Sequence, residues 1–138
     1  MGNFPNTLTP HKNPIPAASR VCPFVATGVI FSQNPQTKET PPSIEAQCAQ
    51  VFANMRAIMQ EAGGSADDII KLNVFLRDKT QRPIVNAEWV AMFPDHESRP
   101  ARHVFTSDDL AEGRLIEAEF FPRPLPLGPL RPKMLTNR

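Results

Sequence analysis

The chain has 138 residues and a formal net charge of +1, from 15 Lys and Arg against 14 Asp and Glu. That length suits one domain, residues 1–138, with a core that needs no metal or disulfide staple. Balanced charge without a basic run predicts no nucleic-acid partner, and the lack of an apolar stretch of about twenty residues predicts no membrane span.

The first ten residues lack the basic-then-apolar pattern of a signal peptide, so a cytoplasmic location is expected. There Cys22 and Cys48 read as free thiols used for packing, too far apart and without the spacing of a zinc site. The 16 prolines gather before residue 25, near 41–42, near 94–100 and after Phe121. They punctuate a periodic middle and decorate two ends.

In chain order, the first twenty residues read as an extended arm, with a strand near its end. Val21 to Phe31 is β-like, broken at Thr27-Gly28, and 32–42 is a turn-rich loop. Ser43 to Ala62 is the best helix. Ile44, Cys48, Val51, Met55, Ile58, Met59 and Ala62 recur every three or four residues, Ser43 caps the start, and Gly63-Gly64 stops it.

After a short turn, Ile70, Leu72, Val74 and Leu76 alternate with polar or aromatic residues as one face of a half-buried strand. Asp78 to Arg82 is a loop. Pro83 opens a second helix that runs to about Phe93, with Val85, Trp89, Met92 and Phe93 on one side, and Pro94 ends it. Ala101–Ser107 and Arg114–Phe121 are strands joined by a polar connection, and the Pro-rich tail wraps a neighbour or hangs free. Strands alternating with two helices predict an α+β or α/β layer fold with helices on one face of a mixed sheet.

The candidate chemistry lies in the last two strands. Ile116, Ala118 and Phe120 share one face; Leu115, Glu117, Glu119 and Phe121 share the other. If the two strands form a hairpin centred on Asp109-Leu110, Arg102 falls opposite Glu117 at about 5 Å between Cβ atoms. The pair is then either a structural ion pair or a site where Arg102 grips a carboxylate and Glu117 handles a proton or water. A one-residue slip in register would put them on opposite faces. His103 should face away from Arg102, and His11 and His96 should face solvent. No tyrosine is present to act as acid or base.

Several local runs, taken in order, resemble the RidA (YjgF-like) family. They are Glu45-Ala46-Gln47 through Asn54, then Glu61-Ala62-Gly63-Gly64-Ser65. Asp67-Asp68-Ile69-Ile70-Lys71 and Val74-Phe75-Leu76 follow. The remainder are Val85-Asn86 with Phe93-Pro94, Arg99-Pro100-Ala101-Arg102, and Leu115-Ile116-Glu117-Ala118-Glu119. The likeness covers about residues 16–121.

It implies a chorismate-mutase-like α+β fold assembled as a homotrimeric barrel, with sites in clefts between subunits. It also implies hydrolysis of small 2-imino acids, or their enamines, to 2-oxo acids and ammonia, with no cofactor or metal. In that reading Arg102 binds the substrate carboxylate and Glu117 positions the attacking water. Thr27, Gly28, Asn86 and Val104 line the pocket.

Three departures from the family pattern bear on the substrate. Thr27-Gly28-Val29 stands where Ser-Gly-Gln is usual, Asn13 or Pro14 stands near the place of an arm tyrosine, and Val104 replaces a cysteine. Two narrower alternatives follow: a deaminase of a larger unsaturated amino acid such as an aminomuconate, or a non-catalytic trimer that binds a small carboxylate. A nucleic-acid or translation role, a label also attached to this family, fits poorly with the neutral charge.

Overall fold

The computed structural model of the chain describes residues 2–3 and 13–126. Helix α1, Ile44–Glu61, starts where Ser43 accepts a hydrogen bond from the Ala46 N–H. Gly63 adopts φ +86, a left-handed conformation that costs glycine little. The predicted stripe is buried from Ile44 to Met59, and Phe52, Gln47 and Asn54 join it.

Helix α2, Arg82–Met92, begins one residue earlier than expected, with Pro83 in its first turn. Arg82 is therefore a helix residue, not the end of a loop. Pro is tolerated there because an N–H in the first turn has no intrahelical acceptor to lose.

Among the described residues there are six strands: β1 (Gly2–Asn3), β2 (Ala18–Val21), β3 (Phe24–Thr27), β4 (Ile69–Leu76), β5 (Ala101–Thr106) and β6 (Ile116–Pro122). They form two three-stranded sheets, ordered β1-β2-β3 and β5-β4-β6. An antiparallel bridge between Ile30 and Ala118, and a hydrogen bond from the Phe120 N–H to Thr27 Oγ1 at 3.1 Å, stitch the end of β3 to β6. Leu72, Val74 and Leu76 of β4 and Ile116, Ala118 and Phe120 of β6 are buried in one core with both helices. The α+β expectation, two helices on a mixed sheet, holds.

Four readings of the sequence are corrected. First, β5 and β6 are not a hairpin. Strand β5 runs parallel to β4, and β6 pairs antiparallel with the other edge of β4, so β4 lies between them. A strand–loop–strand pattern looks the same locally in either case. Here the connection 107–115 is long enough to pass over the end of β4, where Arg77 holds it. The Arg77 guanidinium donates to the carbonyls of Leu110 at 2.7 Å and Arg114 at 3.1 Å.

Second, Ile70 is 57% exposed, because a register irregularity between Ile69 and Lys71 gives its inward place to Ile69. Third, the β-like stretch from Val21 to Phe31 breaks at Cys22-Pro23 as well as after Thr27. Its first residue ends β2, its middle is β3, and Val21 and Phe24 flank the turn in solvent. Fourth, Cys48 is buried as a packing thiol should be, but Cys22 sits at the exposed turn.

The C-terminal tail beyond Pro126 and His11 lie outside the described residues. Among the described residues, no helix is long and apolar enough to cross a membrane.

Candidate functional site

Side chains alternate along a strand, so register decides which face each candidate occupies. Arg102 aligns with Leu72 and Val104 with Val74, which turns both toward the helices. Glu117 aligns with Phe75 and Glu119 with Asn73, which turns both toward the opposite face. Arg102 and Glu117 thus sit on opposite faces, separated by two strand spacings and three residues of rise, roughly 14 Å between Cα atoms. The structure does not bring the predicted pair together within one chain. It builds two separate clusters.

The first cluster lies where α2 covers the edge strand β5. The Arg102 guanidinium stacks over the Trp89 indole, with its central carbon 4.9 Å from the ring centroid. Its Nη1 is buried without a hydrogen-bond partner. Burial, followed by the like charge of Arg82, lowers the Arg102 pKa. No acidic side chain among the described residues pairs with it. A partly desolvated guanidinium with a free donor is prepared for an anion, and its planar fork matches a carboxylate. Asn86 is exposed on α2, one turn before Trp89. Val104 is half-buried against the core.

Arg82 and Trp89 are not among the site residues that the sequence predicts. The spacing of 82, 86 and 89, four and then three, puts them on one helical stripe with Asn86 and was the signal available.

The second cluster lies on the other face of β6. Glu117 is half-buried, and burial raises its pKa. Arg114, a hydrogen bond from the Ala111 backbone N–H, and Arg77 act the other way. The Ile30–Ala118 bridge sets Phe31 beside Glu117 on the edge away from Phe75, so aromatic side chains flank the carboxyl from both neighbouring strands. Arg114 lies over the Phe31 ring at 3.6 Å.

Thr27 and Gly28 border the same strand. Thr27 Oγ1 accepts from the Phe120 N–H, and the Gly28 N–H donates to the Ala17 carbonyl at 2.9 Å. The Thr27 hydroxyl proton remains available to another acceptor.

Gln47 positions this second cluster. Its Nε2 donates to the carbonyls of Pro41 at 2.9 Å and Gly113 at 2.8 Å. Its Oε1 accepts from the Leu115 N–H at 2.8 Å and the Ser32 hydroxyl at 3.1 Å. A fully buried amide with every bond satisfied thereby fixes both neighbours of Arg114.

His103 faces away from Arg102, as expected, and its ring stacks on Phe105 at 3.8 Å between centroids. Phe105 in turn stacks on Phe75 at 5.2 Å. Cys48 has its thiol pKa pushed up to about 12 by burial and then by Glu88, which fits packing and not nucleophilic chemistry.

Residues 18–122 match the family described as Endoribonuclease L-PSP. A 2-iminobutanoate/2-iminopropanoate deaminase from Salmonella typhimurium is 30% identical over 118 residues, 85% of this chain and 89% of that one. The solved structure of RidA from an Antarctic Psychrobacter superposes with a TM-score of 0.81 at 28% identity, over 89% of this chain and 99% of that one.

The chain belongs to the RidA/YjgF family.

Another relative, a RutC family protein of Haemophilus influenzae, is 42% identical over 81 residues, which span 57% of this chain and 62% of that one. Among solved RidA-type structures, Escherichia coli TdcF with bound serine superposes with a TM-score of 0.81 at 25% identity, over 89% of this chain and 98% of that one. The RidA-type fold therefore accounts for the described chain from β2 to β6. Both candidate clusters lie inside the matched segment.

Proposed function

We propose that this protein is an imine/enamine deaminase that hydrolyses 2-imino acids to 2-oxo acids and ammonia, at a site shared between two copies of the chain. In this reading one subunit supplies Arg102, Trp89, Asn86 and Val104, and its neighbour supplies Glu117, Thr27 and Gly28. The observation that carries it is that one chain holds two complementary, incomplete clusters on opposite faces of its sheet. One holds a buried guanidinium donor with nothing to bind. The other holds a carboxyl raised in pKa by burial.

Two further features support association of like chains. Strand β5 has an unpaired edge among the described strands. The outward face carries the Phe75–Phe105 stack, and Phe121 on that face is 39% exposed. A homotrimer with these faces turned inward covers both.

The chemistry follows from the groups. Arg102 holds the substrate carboxylate through paired N–H donors. The enamine tautomerises to the imine. Glu117, as the carboxylate, takes a proton from water while the water oxygen bonds to the imine carbon and the C=N π pair moves to nitrogen. Glu117 returns that proton to the nitrogen, and the hydroxyl proton of the adduct is passed to the nitrogen as the second. The C–N bond then breaks as the carbonyl forms, and ammonia leaves. A raised pKa suits Glu117 to both taking and returning the proton. The relative named as a deaminase and the serine-bound neighbour support a small amino-acid-like substrate.

The test generates 2-iminobutanoate in situ with an amino-acid oxidase and traps it with semicarbazide. The wild type is expected to suppress trapping, and Arg102→Ala and Glu117→Ala to restore it. Trapping of both 2-iminobutanoate and 2-iminoglutarate left unchanged by folded wild-type protein would remove the deaminase reading and leave a carboxylate-binding module.

A further inference from the structure

The Arg102 cluster contains more positive charge than one carboxylate needs. Arg82, Asn86 and Trp89 follow one another at spacings of four and three along α2, so their side chains leave the helix on nearly one line. Trp89 carries Arg102 on its ring. Arg82 lies close enough that its charge disfavours the charged form of Arg102. Arg82 and Asn86 are exposed, and no acidic side chain among the described residues pairs with either guanidinium.

Two cations held near each other without a counterion are unfavourable, and their arrangement is stabilised by whatever anion bridges them. Asn86, between them on the stripe, adds an amide that can both donate and accept. From Arg82 to Trp89 the helix rises roughly 10 Å. Arg82 and the Trp89 ring that carries Arg102 are therefore offset along the stripe, and two acid groups at the ends of one short carbon chain can span such an offset.

We infer that the substrate is the imine of a dicarboxylic amino acid, with Arg102 taking the carboxylate beside the imine carbon and Arg82 taking the distal one. This rests on the deaminase site proposed above and names its substrate class. The chemistry recognised is a second carboxylate a few carbons from the first. An imino acid with an uncharged side chain leaves Arg82 unmatched.

The experiment uses the full-length protein and two stable product-type ligands, 2-oxoglutarate and 2-oxobutanoate, in titration calorimetry at low salt. The wild type is expected to bind 2-oxoglutarate about tenfold or more tightly than 2-oxobutanoate. Arg82→Gln should weaken 2-oxoglutarate about tenfold more than it weakens 2-oxobutanoate, and Arg82→Lys should keep most of the preference. Equal wild-type affinities, no binding of either acid, or equal weakening of both by Arg82→Gln would overturn the inference. In the last case both guanidiniums grip one carboxylate.

Hydrolysis of 2-iminobutanoate and 2-iminoglutarate, measured in parallel, separates the two ideas. Turnover without a dicarboxylate preference removes only this inference. A preference that depends on Arg82, without turnover of either imine, removes only the deaminase reading.

Discussion

Arg102 and Glu117 project from opposite faces of the same three-stranded sheet, with β4 between the strands that carry them. No rotamer change within one chain joins side chains separated by a packed sheet. If both act on one substrate, they come from different subunits.

The first prediction concerns Arg102, whose Nη1 is buried without a partner and whose pKa is lowered by burial and by Arg82. Arg102→Met keeps the apolar contact with Trp89 and removes an uncompensated charge. The urea midpoint should stay the same or rise, while kcat/KM for the imine falls about a hundredfold or more. Arg102→Lys should recover little, because a point charge lacks the paired donors. A large drop in the urea midpoint would mean that Arg102 is mainly structural.

Glu117 sets the second. It acts as a carboxylate, and its pKa is raised, so the acid limb of log kcat/KM against pH should lie above the ordinary carboxylate range. Arg114 opposes that rise, so Arg114→Leu should move the limb to higher pH. Stability follows the same sign. A carboxyl whose folded pKa exceeds its unfolded value favours the folded state fully below the unfolded pKa, and loses that contribution as pH rises through the folded pKa. Glu117→Gln should flatten this fall and abolish the acid limb. A limb unmoved by Arg114→Leu would contradict the electrostatic account.

Gln47 gives the third. Gln47→Ala strands the Leu115 N–H and the carbonyls of Pro41 and Gly113. The loss should be roughly 2–4 kcal/mol of unfolding free energy in urea. At temperatures where the variant stays folded, kcat should fall more than KM rises, because Arg114 and Glu117 lose their support. Gln47→Glu should recover the Leu115 bond and not the two carbonyl contacts.

The fold was legible where periodicity is local. The α1 stripe, its Ser43 cap and its glycine stop were all readable, and so was the alternation of Ile116, Ala118 and Phe120 against Glu117 and Glu119. Strand pairing was not, because it depends on where the connections pass. The 107–115 connection carries no sign that Arg77 draws it across β4, so its local pattern is that of a hairpin loop. The irregularity at Ile70 was hidden because Ile69 and Ile70 are the same residue type, and only register says which is inside. The candidate residues came mainly from motif likeness. Periodicity places Trp89 among the packing residues and Arg82 in a loop, and the stripe joining them to Asn86 emerges only because α2 starts at Arg82.

The central claim is that one site draws Arg102 from one subunit and Glu117 from the next. Inactive Arg102→Ala and Glu117→Ala chains should be unfolded together, refolded at equal concentration, and assayed for 2-iminobutanoate hydrolysis. In a cyclic homo-oligomer with random mixing, about one interface in four receives both intact residues, so about a quarter of wild-type activity should return. Each variant refolded alone should stay inactive. Mixed oligomers that form, as shown by mass, and yet regain no activity would contradict the shared site.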